Sequence, residues 1–367
     1  MRLLLTMNLQ YVPVYGGANK SNRYLLEALA RSHDVRAVVP ALGTPSRLTL
    51  EQLRAQLAAQ AIEVHSHADA DVFVMNGVEV HAVTDQRRMR GYLADQIGAF
   101  EPDWVLVSSE DPSQNLFATA LEARPERVVY LAHTTSFLPF GPQAFFPSAA
   151  RAAMLGRATA IVTISDFVAG YIRQWGGLEA SVLPFYFYGT GPFANFASFD
   201  SGFVTMVNPC AVKGLAIFQE LARQLPDLAF AAVPAWGTTP SDRAALARLP
   251  NVRLLEPAED IDTIFAQTRV LLAPSLWDEA FGRIVVEAML RGIPTLSSAL
   301  GGLREAGLDA GTLLPVRPIE RFEDHLDENL LPVPLVPPQD VAPWRDALTG
   351  LLSDRQAYEA QSRRGRA

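Results

Sequence analysis

Short apolar runs and amphipathic stretches take turns along the first half of the chain. Runs at 2–7, 35–40, 104–108, 128–133 and 160–164 have the length of buried strands. Between them, segments near 21–31, 50–60, 89–100, 114–123 and 167–175 carry apolar residues at helical spacing. Buried strands alternating with helices predict a parallel sheet covered on both faces. Residues 72–83 depart from this rhythm, because apolar and polar positions alternate there around Asn76 and Gly77. That pair favours a tight type I′ turn and predicts a hairpin.

Residues 185–202 are rich in Gly, Phe and Tyr and show no clear period, as expected of a linker. The alternation then restarts. Strands are predicted at 203–207, 229–233, 252–255, 270–273 and 294–297, and helices at 215–225, 241–249, 261–267 and 281–291. This is a second doubly wound unit. Ligands bind such sheets beyond the carboxyl ends of the strands, and two units facing each other enclose a cleft. Pro332, Pro334, Pro337, Pro338 and Pro343 follow closely, which predicts a surface path. A last helical pattern at 341–352 continues less regularly toward 362. The expected organisation is a Rossmann-like domain over 1–184, a linker over 185–202, a second Rossmann-like domain over 203–335 and a helical tail over 336–367.

Size and composition agree with two cores. The chain has 367 residues, 49% of them hydrophobic and 19% charged. Its formal net charge is −8, and its basic residues are scattered apart from Arg87, Arg88, Arg90 and the group Arg363, Arg364, Arg366. An acidic chain without a basic stripe argues against nucleic acid as the main partner. The lone cysteine, Cys210, allows no disulfide within the chain and fits a reducing compartment. The first apolar run is too short for a signal peptide, and no window is long enough to span a bilayer. A cytoplasmic protein without stable membrane insertion is expected.

The strongest local signal is W-D-E-A-F-G-R-I-V-V-E over residues 277–287, after the apolar strand at 270–273. It reads as a strand, a turn containing Gly282, and a helix beginning near Phe281 and Arg283. The first free N–H groups of such a helix attract phosphate or sugar oxygens. Glu279 precedes the helix and Glu287 lies inside it, so the two carboxylates address different parts of an elongated ligand. A second segment, V-N-P-C-A-V-K-G over 207–214, places Lys213 where a strand gives way to a helix, a point charge suited to a diphosphate. A third has Gly301 and Gly302 opening a helix that contains Glu305. In the first half, Gly16 and Gly17 stand between the first strand and its helix, and no G-x-G-x-x-G occurs there, which lowers a dinucleotide-oxidoreductase reading. His133 closes the strand at 128–133, where a side chain enters the ligand crevice or settles as a satisfied strand-end histidine.

Two glutamates with Phe281 and Gly282 between them, seven residues intervening, resemble the hallmark of the retaining glycosyltransferases of family 4. The resemblance implies the GT-B fold, two Rossmann-like domains facing across a cleft. It implies that Glu279 faces the donor sugar, that Glu287 holds the nucleotide ribose, and that the backbone of Phe281, Gly282 and Arg283 meets sugar and phosphate oxygens. Lys213 and the glycine pairs 16–17 and 301–302 would line the donor diphosphate, and His133 would stand near the reacting sugar carbon and the acceptor. Family members commonly carry Gly-Arg six and five residues before the lysine. Val207 and Asn208 occupy those places here, so the phosphates would rely on Lys213, the helix termini and Arg283. The implied function is metal-independent hexosyl transfer with retention from a nucleotide sugar, a UDP-sugar by preference, with no other cofactor. A non-catalytic binding or scaffold protein on a degenerate GT-B fold, and a nucleotide-sugar epimerase, are the alternatives.

The acceptor is sketched only by the loop after His133, which carries Phe137, Phe140, Phe145 and Phe146 among Pro139, Pro142 and Pro147. These rings either form an apolar wall for a hydrophobic small molecule, such as a secondary metabolite, or pack the first domain. Asp69 and Asp71 have the D-x-D form of metal-binding transferases but precede a hairpin, so a polar turn is expected there, with His65 and His67 nearby.

Overall fold

The computed structural model describes residues 1–14, 16–43, 48–184, 188, 191–258, 260–328 and 331–367. The chain divides into two compact units, Met1–Phe187 and Tyr188–Ala367. Of the expected linker, residues 185–187, 189 and 190 lie outside the described residues, as does Tyr15 of the first glycine turn.

Among the described residues, the first unit is built on a nine-stranded sheet. Its strands are β1 (Arg2–Thr6), β2 (Asp34–Pro40), β3 (His65–Ser66), β4 (Ala70–Met75), β5 (Val78–Val83), β6 (Trp104–Ser108), β7 (Val128–Ala132), β8 (Ala160–Thr163) and β9 (Ser181–Val182). They lie in the order β3-β4-β5-β2-β1-β6-β7-β8-β9. The pairs from β5 to β9 are parallel, and β4 runs antiparallel to both its neighbours, β3 and β5. The helices are α1 (Gly17–Leu29), α2 (Leu50–Ala59), α3 (Met89–Phe100), α4 (Asn115–Ala123), α5 (Ala149–Leu155) and α6 (Asp166–Tyr171), the last continued by a π turn over Ile172–Gly176. Leu4, Leu5, Val105, Val107 and Val128 are buried, because these strands are covered on both faces. The hairpin forms at its expected turn, with φ of 49° at Asn76 and 84° at Gly77.

Within the second unit the described strands are β10 (Phe203–Val207), β11 (Phe230–Val233), β12 (Val252–Leu254), β13 (Thr268–Ala273), β14 (Thr295–Ser298) and β15 (Thr312–Leu314), all parallel, in the order β12-β11-β10-β13-β14-β15. A separate antiparallel pair is formed by β16 (Phe322–Leu326) and β17 (Pro332–Pro334). The helices are α7 (Leu215–Gln224), α8 (Pro240–Ala247), α9 (Asp262–Phe265), α10 (Arg283–Leu290), α11 (Leu303–Ala306), α12 (Ala342–Ser353) and α13 (Arg355–Arg366). Thr239 caps α8 through a reciprocal box with Asp242, and Pro240 sits in its first turn.

The proline-rich stretch keeps to the surface as expected, with none of residues 331–340 buried, and its Pro332–Pro334 segment also pairs with β16. The structure corrects two expectations. The expected tail is part of the second core. Trp344 of α12 is fully buried and donates through Nε1 to the Pro315 carbonyl (3.1 Å), and Tyr358 of α13 is buried beside Phe199. Asp71 is a strand residue and not a loose turn. It is 2% exposed, Arg54 donates to both its oxygens (2.8 and 2.9 Å), and the Ser66 hydroxyl donates at 2.6 Å. Burial pushes this carboxyl up, but those three donors hold it below the usual carboxylate range.

Candidate active site

Four loops leave the carboxyl ends of β10, β11, β13 and β14, spanning 208–214, 234–239, 274–282 and 299–302. They come together because backbone meets backbone. Leu276 N–H donates to the Val212 carbonyl (2.9 Å), and Gly302 N–H donates to the Glu279 carbonyl (2.8 Å). A Cβ on Gly214 would fall on the Pro274 carbonyl oxygen, and one on Gly302 would run into the Ala280 carbonyl. The glycines at these places are therefore packing requirements, and the Gly302 amide is already committed within the unit.

This packing puts Lys213 and Glu279 in contact. Lys213 ends a 3₁₀ turn over Ala211–Lys213 and its Nζ donates to Glu279 Oε1. The same oxygen accepts from the Ser275 hydroxyl (2.5 Å) and from Trp277 Nε1–H (3.1 Å). Burial raises the Glu279 carboxyl, but the Lys213 charge and these hydrogen bonds outweigh it and hold the group below its ordinary value. The Lys213 ammonium lies 5.3 Å from the Trp277 ring centre and 5.9 Å from that of Trp236, and the two indoles are 6.0 Å apart. Lys213 is thus an ion-paired cation bracketed by two aromatic faces.

Asn208 works within the unit, as a loop fastener. It sits at φ 60° and is 5% exposed, and its Oδ1 accepts from Gly237 N–H (2.9 Å) and from the Thr238 hydroxyl (3.4 Å). It fastens the loop that carries Trp236. Cys210, beside it, is buried with its thiol pushed up to about 12, which makes it an inert packing residue. Gly282 caps α10, whose helical residues begin at Arg283, two residues beyond the expected start at Phe281, which is itself buried. Arg283 and Glu287 pair along α10 at 3.5 Å. Gly301 packs against the backbone of Asp278 and Glu279.

The first unit holds a second polar cluster, at the carboxyl ends of β6 and β7. His133 is 5% exposed, and its Nε2 meets Asn22 Oδ1 of α1 at 2.7 Å. Asn22 Nδ2 donates to Ser108 Oγ (2.9 Å), and the Ser108 hydroxyl donates to Glu110 Oε2 (2.7 Å). The Ser109 hydroxyl donates to the same oxygen (3.1 Å) and accepts the His133 backbone N–H (2.9 Å). Burial pushes the Glu110 carboxyl up to about 7, against the opposing pull of the two serine hydroxyls. Gly16 is the N-cap of α1 and Gly17 its first residue, on the helix that also supplies Asn22.

Of the expected aromatic wall, Phe140 is buried and stacks on Tyr171 at 6.5 Å, as a packing residue. Phe137, Phe145 and Phe146 stand edge to face in series, at 6.1 and 6.4 Å, and Phe146 is 41% exposed. Arg151 ties this loop to the one after β6, donating to the carbonyls of Pro112 (2.6 Å) and Phe146 (3.3 Å).

Two family models match the chain in succession, Glycosyltransferase Family 4 over residues 15–184 and Glycosyl transferases group 1 over residues 202–354. The chain belongs to the family 4-like glycosyltransferases. Its fold is GT-B, as in three solved structures. A sucrose-phosphate synthase from Thermosynechococcus elongatus is 16% identical with a TM-score of 0.70, covering 100% of this chain and 93% of that one. Anabaena HepE in complex with UDP and glucose is 17% identical with a TM-score of 0.69 and coverage of 100% and 94%. The catalytic domain of Arabidopsis thaliana starch synthase IV, bound to ADP and acarbose, is 11% identical with a TM-score of 0.63 and coverage of 100% and 95%. No curated protein matches the chain in sequence. Among the described residues, no helix of this glycosyltransferase is long and apolar enough to cross a membrane.

Sequence reasoning selected Lys213, Glu279 and His133 but passed over Trp236, Ser275, Asn22, Ser108, Ser109 and Glu110. Trp277 stood inside the recognised segment and gave a local hint. Ser275 shares the loop of Glu279, and Ser108 and Ser109 adjoin Glu110, while Trp236 and Asn22 join their clusters only through contacts between distant segments.

Proposed function

We propose that this glycosyltransferase moves a sugar from a nucleoside diphosphate sugar, a UDP-sugar by preference, to an acceptor hydroxyl with retention at the anomeric carbon. The observation that carries this reading is the Lys213–Glu279 pair, held by Ser275 and Trp277 at the carboxyl ends of β10 and β13. A diphosphate arriving at Lys213 competes with Glu279 for the ammonium and leaves the carboxylate to accept from sugar hydroxyls. Lys213 then stabilises the negative charge that grows on the departing diphosphate, so the reaction needs no metal ion. Glu287 receives the ribose hydroxyls from α10. HepE, which shares the fold, was solved with UDP and glucose, and this supports the choice of donor. On the acceptor side, the exposed edge of Phe146 and the rings behind it favour a hydrophobic small molecule.

The test is a thermal-shift series with UDP, GDP, ADP and dTDP on the wild type and on Glu287→Ala. A ligand that binds only the folded chain at a hundred times its Kd adds about 2.7 kcal/mol, which is readily seen. Stabilisation by one nucleotide, lost in the variant, supports the donor site. No stabilisation by any of the four defeats it. A second reading, a binding protein without turnover, draws on Asn208 serving as a loop fastener where the family commonly has a phosphate-binding arginine. Product analysis with the matching nucleotide sugar separates transfer, isomerised donor and mere binding.

A further inference from the structure

The loop over 234–239 is closed on itself around Trp236. Ala235 N–H donates to Thr238 Oγ1 (3.1 Å), and Thr238 N–H donates back to the Ala235 carbonyl (3.2 Å). Asn208 Oδ1 accepts from Gly237 N–H (2.9 Å) and from the Thr238 hydroxyl (3.4 Å). A Cβ on Gly237 would stand 2.7 Å from Cys210 Sγ, so the turn also lies directly against the buried thiol. Trp236 is the aromatic residue these anchors hold, and it is only half-buried, so the turn is not built to sink the ring into the core. Its ring centre is 5.9 Å from the Lys213 ammonium and 6.0 Å from the Trp277 ring, whose own centre is 5.3 Å from the same ammonium. Trp277 is fixed in turn by its Nε1–H on Glu279. A separation of 6.0 Å is that of a direct aromatic contact and leaves no room for a nucleobase between the indoles. What they bracket is the lysine.

We infer that Trp236 is a positioning residue for the donor diphosphate, acting through Lys213. This rests on the donor reading above and deepens it. Lys213 is the only Lys, Arg or His in the loops 208–214, 234–239, 274–282 and 299–302, which also hold Asp278 and Glu279. Arg283, just beyond them, pairs with Glu287. One ammonium therefore serves the diphosphate from these loops. A lysine is a strongly hydrated charge on a flexible stem, so it grips an anion best where its place is set in advance and its water is displaced. Glu279 holds the ammonium only until the diphosphate competes for it. The ring faces are the contacts that the ammonium keeps through this exchange, since attraction to a π face does not depend on which anion is bound. With its place kept and water displaced by the indoles, the ammonium meets the phosphate oxygens in a lower dielectric and without first being ordered. Asn208 belongs to the same device. It brings no charge to the phosphates but holds the turn that carries the indole.

The experiment is a double-mutant cycle. Calorimetry of the wild type with UDP, GDP, ADP and dTDP identifies the nucleotide that binds. Its affinity is then measured for Trp236→Leu, which keeps apolar bulk without a π face, and for Trp236→Phe, which keeps the face. Lys213→Ala and the combination of Lys213→Ala with Trp236→Leu complete the cycle, and thermal unfolding without ligand verifies that each variant is folded. Trp236→Leu is expected to weaken binding about tenfold, and Trp236→Phe by less than about threefold. On the Lys213→Ala background no ammonium is left to position, so Trp236→Leu should cost less than about twofold there. Wild-type affinity in Trp236→Leu overturns the inference. So does an equal loss with and without Lys213, the result that a base or sugar stacked directly on the indole would give. So does a Trp236→Phe protein as weak as Trp236→Leu. If no nucleotide binds the wild type, the donor reading has failed and the inference falls with it, whereas nucleotide binding that ignores Trp236 sinks the inference alone.

Discussion

The Lys213 ammonium and the Glu279 carboxylate, 66 residues apart in the chain, meet as an ion pair on one oxygen that also receives Ser275 and Trp277. Under the proposed function this pair is the state before the donor binds. Each partner neutralises the other until a ligand brings its own charge and hydroxyls, so removing one partner exposes what the other does.

Replacing Lys213 with Ala should weaken nucleotide binding by about 2–3 kcal/mol, the worth of a lost charge-assisted contact with diphosphate. Replacing Glu279 with Ala should leave nucleotide binding within a few fold and lower kcat by about a hundredfold or more. Calorimetry for binding and initial rates for turnover separate the two. Equal losses in both quantities in both variants would contradict the division of labour.

The same pair has a pH signature. The Glu279 carboxyl is held below its ordinary value of 4.5, so the native state binds a proton there less readily than the unfolded chain does. The stability this contributes is present above that value and is lost as pH falls through the lower native one. Acid unfolding of Lys213→Ala should therefore begin at higher pH than that of the wild type, followed by far-UV circular dichroism.

Glu110 gives the opposite sign. Its carboxyl is raised from 4.5 to about 7, so the native state holds the proton more tightly. Its contribution is greatest below 4.5 and disappears as pH rises through 7. Glu110→Gln, which never ionises, should match the wild type at pH 4 and exceed it at pH 8 by up to about 3 kcal/mol. Urea unfolding at the two pH values measures this, and equal stability at pH 8 would refute it.

Asn208→Arg should not restore a family-like phosphate site. The substitution removes both hydrogen bonds to the loop at 237–238 and places a long side chain at positive φ in a buried position. A loss of about 2–3 kcal/mol is expected from the unmade bonds and the backbone strain. Trp236 should loosen as well, seen as a changed indole fluorescence.

Gly214→Ala combines a φ of 85° with a methyl driven into the Pro274 carbonyl. It should cost more than about 2 kcal/mol and separate Lys213 from Glu279. Thermal unfolding and the loss of nucleotide stabilisation would show both effects.

Much of the fold was legible because its signals are local. The strand Trp104–Ser108 and the helix Met89–Phe100 have the bounds that periodicity gives, and the Asn76–Gly77 turn is dictated by two residues. The short helix Ala149–Leu155 was hidden behind a proline-rich loop, and β17 was hidden by its own prolines, which pair only at intervals with β16. At the candidate site, the glutamates and Lys213 stand in recognisable segments, so the sequence alone singles them out. Glu110 sits in an unremarkable S-S-E-D run, and its meaning comes from Asn22 and His133, which are 111 residues apart and meet only in the folded sheet. Trp236 was missed for the same reason, since nothing near it in sequence announces Lys213.

The burial of α13 in the second unit extends to the strands beneath the site. Tyr358 donates from its hydroxyl to the Arg269 carbonyl at the start of β13 (2.7 Å), and Gln361 donates to the Thr295 carbonyl at the start of β14 (3.0 Å). The far ends of those two strands carry the loops with Glu279 and the Gly301–Gly302 pair. The helix is a buttress under the proposed donor site. Clipping it, or fusing a partner that pulls on it, would act as a mutation of that site without touching one of its residues.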